Sequence, residues 1–362
     1  MRAFAREILL RALSVAGILL TVTAFGRESL KFESTVHDFG QILISDGAVS
    51  CRFKATNVSK EDVVIQSVAT SCGCTSVKWD HTPIAPGRTT EISATYTNDE
   101  GPYSFDKTLT VKILGEGKPF LLHLRGLSQN AIKPDSEIYT DIYNGSLGLS
   151  SDRLKCPNLE QGGSRGDQVT VANLSAKPVK VGFTGVTEGL TLDVKPNPIP
   201  AKGHATLFYT VSSRPSKWGR NLYFAQPVTD GKASEKKITI EAFTTENFSG
   251  LTAAQKKQGS RPVFAQSTYS FGHKKQGTKL TASFVCENKG LASLVIHKID
   301  SDCPGAVPGS IKTPIAPGSS CTLTVTLDTS SLPKGEALVI ITLTTNSPSR
   351  PIVNLFLAGI ID

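Results

Sequence analysis

Apolar and polar positions alternate with a period of two along much of the chain. Cys51, Phe53 and Ala55 alternate with Arg52, Lys54 and Thr56, which puts apolar groups on one face and polar groups on the other, the pattern of a half-buried strand. The turn Asn57-Val58-Ser59-Lys60 then reverses the chain. Further strands are predicted over 63–70, 75–79, 89–97, 107–114 and 120–125, separated by turns that carry Pro and Gly. About seven short strands in roughly 110 residues is the count of an immunoglobulin-like sandwich, in which two sheets cover one core. Only residues 251–257 have a helical pattern.

The same pattern recurs. Thr-Pro-Ile-Ala-Pro-Gly occurs at 82–87 and again at 313–318, an offset of 231. At that offset Phe53 meets Phe284, Asn57 meets Asn288, Val64-Ile65 meets Val295-Ile296 and Cys72 meets Cys303, and Phe39-Gly40 meets Phe271-Gly272 one residue further on. A weaker copy lies halfway, with Asn173 placed 116 residues after Asn57 and Pro198-Ile199-Pro200 with Gly203 repeating the proline turn. Shared offsets of this kind mark tandem units. The expected fold is all-β, with three tandem immunoglobulin-like domains at 27–127, 128–258 and 259–362 after a cleaved signal peptide at 1–26.

Asp38-Phe39-Gly40, the Asn that closes the second strand, Ser71-Cys72-Gly73-Cys74-Thr75 and Pro83-Ile84-Ala85-Pro86-Gly87 together resemble the bacterial domain-of-unknown-function family 1573, which is related in fold to the immunoglobulin-like domains of Hydin and the major sperm protein. The match is specific in the first unit. In the third, Cys303-Pro304-Gly305 replaces Cys-Gly-Cys, and in the second the likeness is architectural. The resemblance implies the fold and an exported setting, and it implies no reaction.

The beginning of the chain reads as an address label. Arg2, Arg6 and Arg11 form a basic start, 12–24 is an apolar run, and Ala24-Phe25-Gly26 offers small residues to a signal peptidase, with cleavage expected after Gly26. Thirteen or so apolar residues are short against the ~20 that span a bilayer, so a retained anchor is the weaker reading. No Cys follows the run, so lipoprotein processing has no support. No membrane span is expected in the mature chain, and the localisation expected is periplasmic or secreted, at the cell envelope. Of the formal +8 on 362 residues, three arginines and one glutamate of the leader account for +2, leaving +6. The remaining Lys and Arg are scattered in pairs such as Lys236-Lys237 and Lys274-Lys275. A nucleic-acid protein gathers charge on one face beside stacking aromatics, so no nucleic-acid partner is expected. The 39% hydrophobic and 19% charged content suits a globular chain, and 31 Gly and 20 Pro against a single Met favour strands and turns.

Cys72-Gly73-Cys74 is the one local motif that could carry chemistry. Residues i and i+2 of an extended segment point the same way, so two thiolates could face a soft metal or exchange through a disulfide. A closed metal site needs three or four ligands, and no second Cys-x-Cys or His pair supplies them, which favours a structural or disulfide role. Seven cysteines in an exported chain suggest bridges with one left over. Strand parity pairs Cys286 with Cys321, and places Cys51 at a common pole with Cys72 or Cys74. Buried free thiols are the alternative at all of these positions. Cys303 is expected at the pole opposite Cys286 and Cys321, and Cys156 is alone in its unit.

Other constellations lack their context. Gly162-Gly163-Ser164-Arg165-Gly166 fits Gly-x-Ser-x-Gly, but no buried strand precedes it and no helix follows. The six histidines, at 37, 81, 123, 204, 273 and 297, never fall at i, i+4. Four Asn-x-Ser triplets begin at Asn57, Asn144, Asn173 and Asn247, and two of these sit at the repeated turn. No phosphate loop or calcium loop is present. No catalytic residue, resident metal or cofactor is therefore expected. The expected function is that of a non-enzymatic binding or scaffolding module of the bacterial envelope, acting through loops and sheet edges on an unidentified protein or envelope polymer. The alternative is a thiol- or metal-binding protein acting through Cys72 and Cys74.

Overall fold

A computed structural model describes residues 29–362, and the expected leader with its cleavage point lies outside them. Strand accounts for 55% and helix for 4%, so the fold is all-β as the alternation implies. The chain divides into two compact units between Ile132 and Lys133.

The described part of the first unit holds β1 (Leu30–Phe32), β2 (Val36–Leu43), β3 (Val49–Asn57), β4 (Ile65–Thr70), β5 (Thr75–Trp79), β6 (Thr89–Tyr96), β7 (Ser104–Ile113) and β8 (Phe120–Gln129). They form two sheets, ordered β1-β3-β6-β5 and β2-β8-β7-β4. Neighbours are antiparallel except β2, which runs parallel to β8. Alternation supplies the core. Phe53, Ile92 and Tyr96 from one sheet and Leu109, Leu122 and Leu124 from the other join a single buried cluster, giving a sandwich-like arrangement. The register of β2 slips between Asp38 and Gln41, where the Asp38 carboxylate accepts the Gly40 N–H at 2.8 Å and Gly40 adopts φ +65°. Asp-Phe-Gly is thus a bulge built on a side-chain turn and a left-handed residue.

The second unit opens with the short helix α1 (Asp135–Ile138), which has no counterpart in the sequence pattern. Its strands begin with β9 (Asp141–Tyr143), β10 (Leu147–Leu149), β11 (Arg153–Lys155), β12 (Leu159–Glu160), β13 (Ser164–Asn173) and β14 (Val181–Thr184). These are followed by β15 (Leu190–Lys195), β16 (His204–Ser212), β17 (Gly219–Thr229), β18 (Lys232–Ala233) and β19 (Ile238–Thr245). The sheets are β15-β16-β13-β10-β9 and β11-β19-β17-β14, with β12 also pairing β19 and β18 pairing β17. They enclose a second core around Leu207, Tyr223 and Ile240. After α2 (Ala253–Lys257) come β20 (Pro262–Phe264), β21 (Thr268–Lys274), β22 (Lys279–Asn288), β23 (Ile296–Ser301), β24 (Ala306–Pro308), β25 (Ser320–Asp328), β26 (Gly335–Thr345) and β27 (Ile352–Ile361). Their orders, β20-β22-β25-β24 and β21-β27-β26-β23, reproduce the first unit strand for strand, including the parallel pair and its bulge before Gly272. A third core gathers around Phe284, Leu323 and Leu355.

Within the second unit, β17 packs against β23. Trp218 stacks on His297 with ring centroids 3.9 Å apart, and His297 Nε2 lies 2.8 Å from Glu246. The Asp300 carboxylate accepts the Arg220 N–H at 2.9 Å and pairs with Lys298 at 2.8 Å. These contacts join the sheets on either side of α2 into one compact body.

The repeated Asn and proline turn form one device, present three times. Asn57, Asn173 and Asn288 are essentially inaccessible. The Asn57 amide donates to Glu61 O (2.8 Å) and Ile84 O (2.7 Å) while its oxygen accepts the Ser59 N–H. Asn173 donates to Lys177 O and Ile199 O and accepts from Ser175, and Asn288 donates to Ala292 O and Ile315 O and accepts from Gly290. Each Asn therefore ties its own turn to the isoleucine of the proline turn, which also pairs through an isolated bridge: Val63 with Ile84, Val179 with Ile199, Leu294 with Ile315. The buried amides of Asn57 and Asn173 are spent on carbonyls, which accounts for two of the Asn-x-Ser triplets.

Candidate functional site

The Cys-Gly-Cys motif lies in the turn between β4 and β5. Cys72 and Cys74 are joined by a disulfide with Cα atoms 5.3 Å apart. The ring is held on both sides: Thr70 Oγ1 donates to Cys72 O at 2.9 Å, and the Thr97 N–H donates to Cys74 O at 2.9 Å. Cys72 is half-buried, Cys74 is buried and Gly73 faces solvent. As a bridge the two sulfurs carry no thiolate. The corresponding turn near the end of the chain has the same frame, with Ser301 Oγ donating to Cys303 O and the Asp328 N–H to Gly305 O. There the second position cannot carry a side chain, because a Cβ on Gly305 would lie 2.5 Å from Asp328 O and 2.6 Å from Ser331 Oγ. That copy therefore has no room for a second cysteine.

The remaining five cysteines are unbridged. Cys51 sits on β3 opposite Ala94 and is buried in the first core, so neither Cys72 nor Cys74, which are committed to each other, bridges to it. Cys286 and Cys321 are direct partners on the antiparallel strands β22 and β25 and stand as neighbouring free thiols. Cys303 lies in the turn after β23, 3.6 Å from Ser331 Oγ, and Cys156 donates to Arg165 O at 3.2 Å. Burial pushes the Cys51 and Cys156 thiols up to about 11, and burial together with the adjacent Cys321 pushes Cys286 up to about 12. The thiolate is the nucleophile, so at pH 8 these three are expected to resist iodoacetamide in the native chain. After mild reduction Cys72 should label ahead of them, with peptide mass mapping as the readout. Labelling of Cys51 before Cys72 would contradict this ordering.

Ser164 begins β13, its hydroxyl 2.8 Å from that of the cross-strand Ser212, and it is followed by strand. It has no base beside it among the contacts of this hydroxyl. His37 stacks edge-on with Phe39 at 4.5 Å, and burial, opposed by Asp38, draws its pKa below the usual imidazole range. Among the described residues no three His, Cys, Asp or Glu side chains converge to hold a metal ion, and no helix is long and apolar enough to cross a membrane.

The family described as protein of unknown function (DUF1573) matches residues 30–127 and 263–361, more than half of the chain. The chain belongs to this family. The two matched DUF1573 segments are the two strand sets whose sheet orders coincide, and the stretch between them carries the divergent copy of the Asn device. No curated protein matches the chain. Among solved structures it is similar to a protein of unknown function from Porphyromonas gingivalis W83, at 18% identity and TM-score 0.49, over 60% of this chain and all of that one. It is also similar to the ASH/PapD-like domain 7 of human CEP192, at 10% identity and TM-score 0.26, over 33% of this chain and 94% of that one. Drosophila N-cadherin EC1-4 matches at 8% identity and TM-score 0.21, over 89% of this chain and 72% of that one.

The first DUF1573 segment also holds two polar clusters that no local pattern announces. The Tyr96 hydroxyl lies 3.1 Å from that of Tyr103, which donates to Glu100, and Lys107 pairs with Glu100 at 2.8 Å while lying over both rings. On the outer face of β7 and β8, Asp106 is 2.7 Å from His123 and 2.8 Å from Arg125. Burial alone would raise the Asp106 pKa, but His123 and Arg125 together bring it below the usual carboxylate value. The first cluster joins strands of the two sheets through the loop between β6 and β7 and the second joins neighbouring strands, and only the parity of His123 and Arg125 two residues apart hints at the second.

Proposed function

We propose that this DUF1573 protein is exported and acts without catalysis, as a binding or scaffolding module of the bacterial envelope built from three immunoglobulin-like sandwiches at 27–127, 128–258 and 259–362. The leader pattern at 1–26 supports export. The two-sheet strand orders, with β2 parallel to β8, β11 and β12 parallel to β19, and β21 parallel to β27, support the immunoglobulin-like reading. The observation that carries the binding role is that the sheets are open, so that strands such as β5 and β15 end them with unpaired backbone groups, while the repeated residues are consumed in building turns. Edges and loops are what sandwiches offer to partners.

Cell fractionation and in situ photo-cross-linking test the two halves of the proposal. A processed chain beginning near residue 27 and recovered outside the cytoplasm is expected, and an unprocessed cytoplasmic chain would overturn export. A photo-reactive residue at exposed Ser76 on the edge strand β5 is expected to give a discrete adduct. Probes at this edge and at edge strand β15 that give none would overturn the binding role.

A further inference from the structure

The turn that follows β22 faces the end of α2 across a cleft of about 480 Å³, within the range of ligand sites. Four cations line it: Lys256 and Lys257 from α2, Arg261 just before β20, and Lys289 beside the buried Asn288. No acidic residue lines it. Lys256, Lys257 and Arg261 have no carboxylate partner among the described residues, and Lys289 makes only an exposed pair with Glu287 at 3.4 Å, a contact that a ligand carboxylate exchanges at little cost. The floor is rigid, because Gly290 packs so closely that a Cβ there would overlap the backbone of Gly259 and Arg261. Leu291, 73% exposed, and Pro348 add an apolar rim.

The fold does not require these charges. In the first unit the same backbone bond that joins Lys289 N–H to Arg261 O joins Val58 N–H to Ser29 O, so Val58 and Ser29 stand where Lys289 and Arg261 do. The second copy of the turn reads Asn173-Leu174-Ser175-Ala176, with Leu174 at the position of Lys289. The device closes equally well in all three, so closing it does not call for a cation at the positions of Lys289 and Arg261. Lys256 and Lys257 do complement the carbonyl end of α2, but this does not extend to Arg261 or Lys289.

We propose that this cleft binds an extended acidic peptide segment, with carboxylates on the four cations and an apolar side chain against Leu291 and Pro348. No aromatic residue lines the cleft, which removes the stacking platform that single-stranded nucleic acids use. The proposal gives a partner chemistry to one surface of the envelope binding module, and it stands apart from the edge strands on which that role rests.

Fluorescence anisotropy on the full mature chain tests it, using a fluorescein-labelled octapeptide of alternating glutamate and leucine. Binding is expected to weaken at least tenfold when glutamine replaces glutamate in the peptide, and to weaken as salt rises from 50 to 400 mM. The Arg261→Glu/Lys289→Glu variant should lose at least tenfold, and the Lys256→Ala/Lys257→Ala variant, confined to an exposed helix, should lose severalfold. The Lys118→Glu/Lys334→Glu control, with the same change in net charge elsewhere, should stay within twofold. Equal loss in the control, or no loss in either cleft variant, would overturn the proposal. So would a short oligonucleotide or sulfated oligosaccharide that binds more tightly than the peptide through the same cations. Edge-strand cross-linking that persists alongside such a failure would leave the broader binding role standing.

Discussion

Replacing Asn288 by alanine is expected to cost about 3–5 kcal/mol, since it strips this partner from Ala292 O and from the N–H groups of Arg261 and Gly290 and takes one of two donors from Ile315 O, which keeps the Leu294 N–H, and each group left unpaired in a buried setting costs roughly 1–3 kcal/mol. Against a typical stability of ~5–15 kcal/mol this is a large fraction. Asn57→Ala should act in the same direction on the first unit, where the Ser59 N–H loses its acceptor and Glu61 O and Ile84 O each lose one of two donors, keeping the Ser59 hydroxyl and the Val63 N–H. The two tryptophans separate the effects in urea titrations. Trp79 lies on β5 of the first unit, and Trp218 stacks on His297 in the second. Asn57→Ala is expected to move the Trp79 transition and Asn288→Ala the Trp218 transition. The control Asn247→Ala, at an exposed triplet, should move neither by more than about 0.5 kcal/mol. Both buried variants falling within about 1 kcal/mol of the parent would show that the clamp is dispensable.

Asn288→Asp gives the sign of the effect. The new carboxylate keeps the acceptor role toward Arg261 and Gly290 but faces two carbonyl oxygens where an amide had donated. Its charged form is disfavoured in the folded state, so its folded pKa is raised. The contribution of the protonated form is then fully present below the unfolded carboxyl pKa and is lost as pH rises through the folded value. Stability of this variant relative to the parent is expected to fall between mildly acidic and neutral pH, as followed by urea midpoints at several pH values.

The strands were legible because alternation in stretches such as Cys51 to Thr56 needs no partner to be read, and the tandem organisation was legible because the proline turn and the buried Asn recur in register. What joins those two signals was not. The Asn288 amide reaches a carbonyl 27 residues away, and a side-chain bond to backbone leaves no trace in the identity of the accepting residue. The Cys72 and Cys74 pair reads from sequence as two groups on one face of an extended segment, in which i and i+2 lie roughly 6.6 Å apart. The chain instead turns there, bringing the Cα atoms to 5.3 Å and the sulfurs into a bond. Strand parity brought Cys286 opposite Cys321 but could not say whether neighbouring thiols are oxidised. The Trp218–His297 contact and the cationic cleft depend on how α2 and the sheets around it dock, which no period along the chain encodes.

Gly359→Ala is expected to be nearly as damaging, for a steric reason. The bulge at Gly272 lets β21 run alongside β27 in parallel, and it seats the Phe271 ring directly over Gly359. A Cβ at 359 would lie 2.6 Å from Gly272 O and closer still to the ring. Phe271 is 5% exposed and held by the third core, so the ring cannot swing into solvent, and the strand pair has to part. Overpacking of this kind costs typically ~1–3 kcal/mol, and contact with both ring and backbone puts this site at the upper end, about 3 kcal/mol. The equivalent Gly126→Ala should cost less, about 1–2 kcal/mol, because a Cβ there lies 3.2 Å from Gly40 O, which a shift of a few tenths of an ångström relieves, and its closest contact is the Phe105 ring, buried and stacked on Tyr96 at 4.3 Å. A double-mutant cycle isolates the ring's share: in a Phe271→Leu background the cost of Gly359→Ala should fall by about 1 kcal/mol, within the range of coupled neighbours, and should not vanish, since the Gly272 carbonyl remains in place. Strictly additive variants, or a Gly359→Ala chain with an unchanged Trp218 transition, would mean that the parallel pair opens freely and that the bulge does not fix the edge of the sheet.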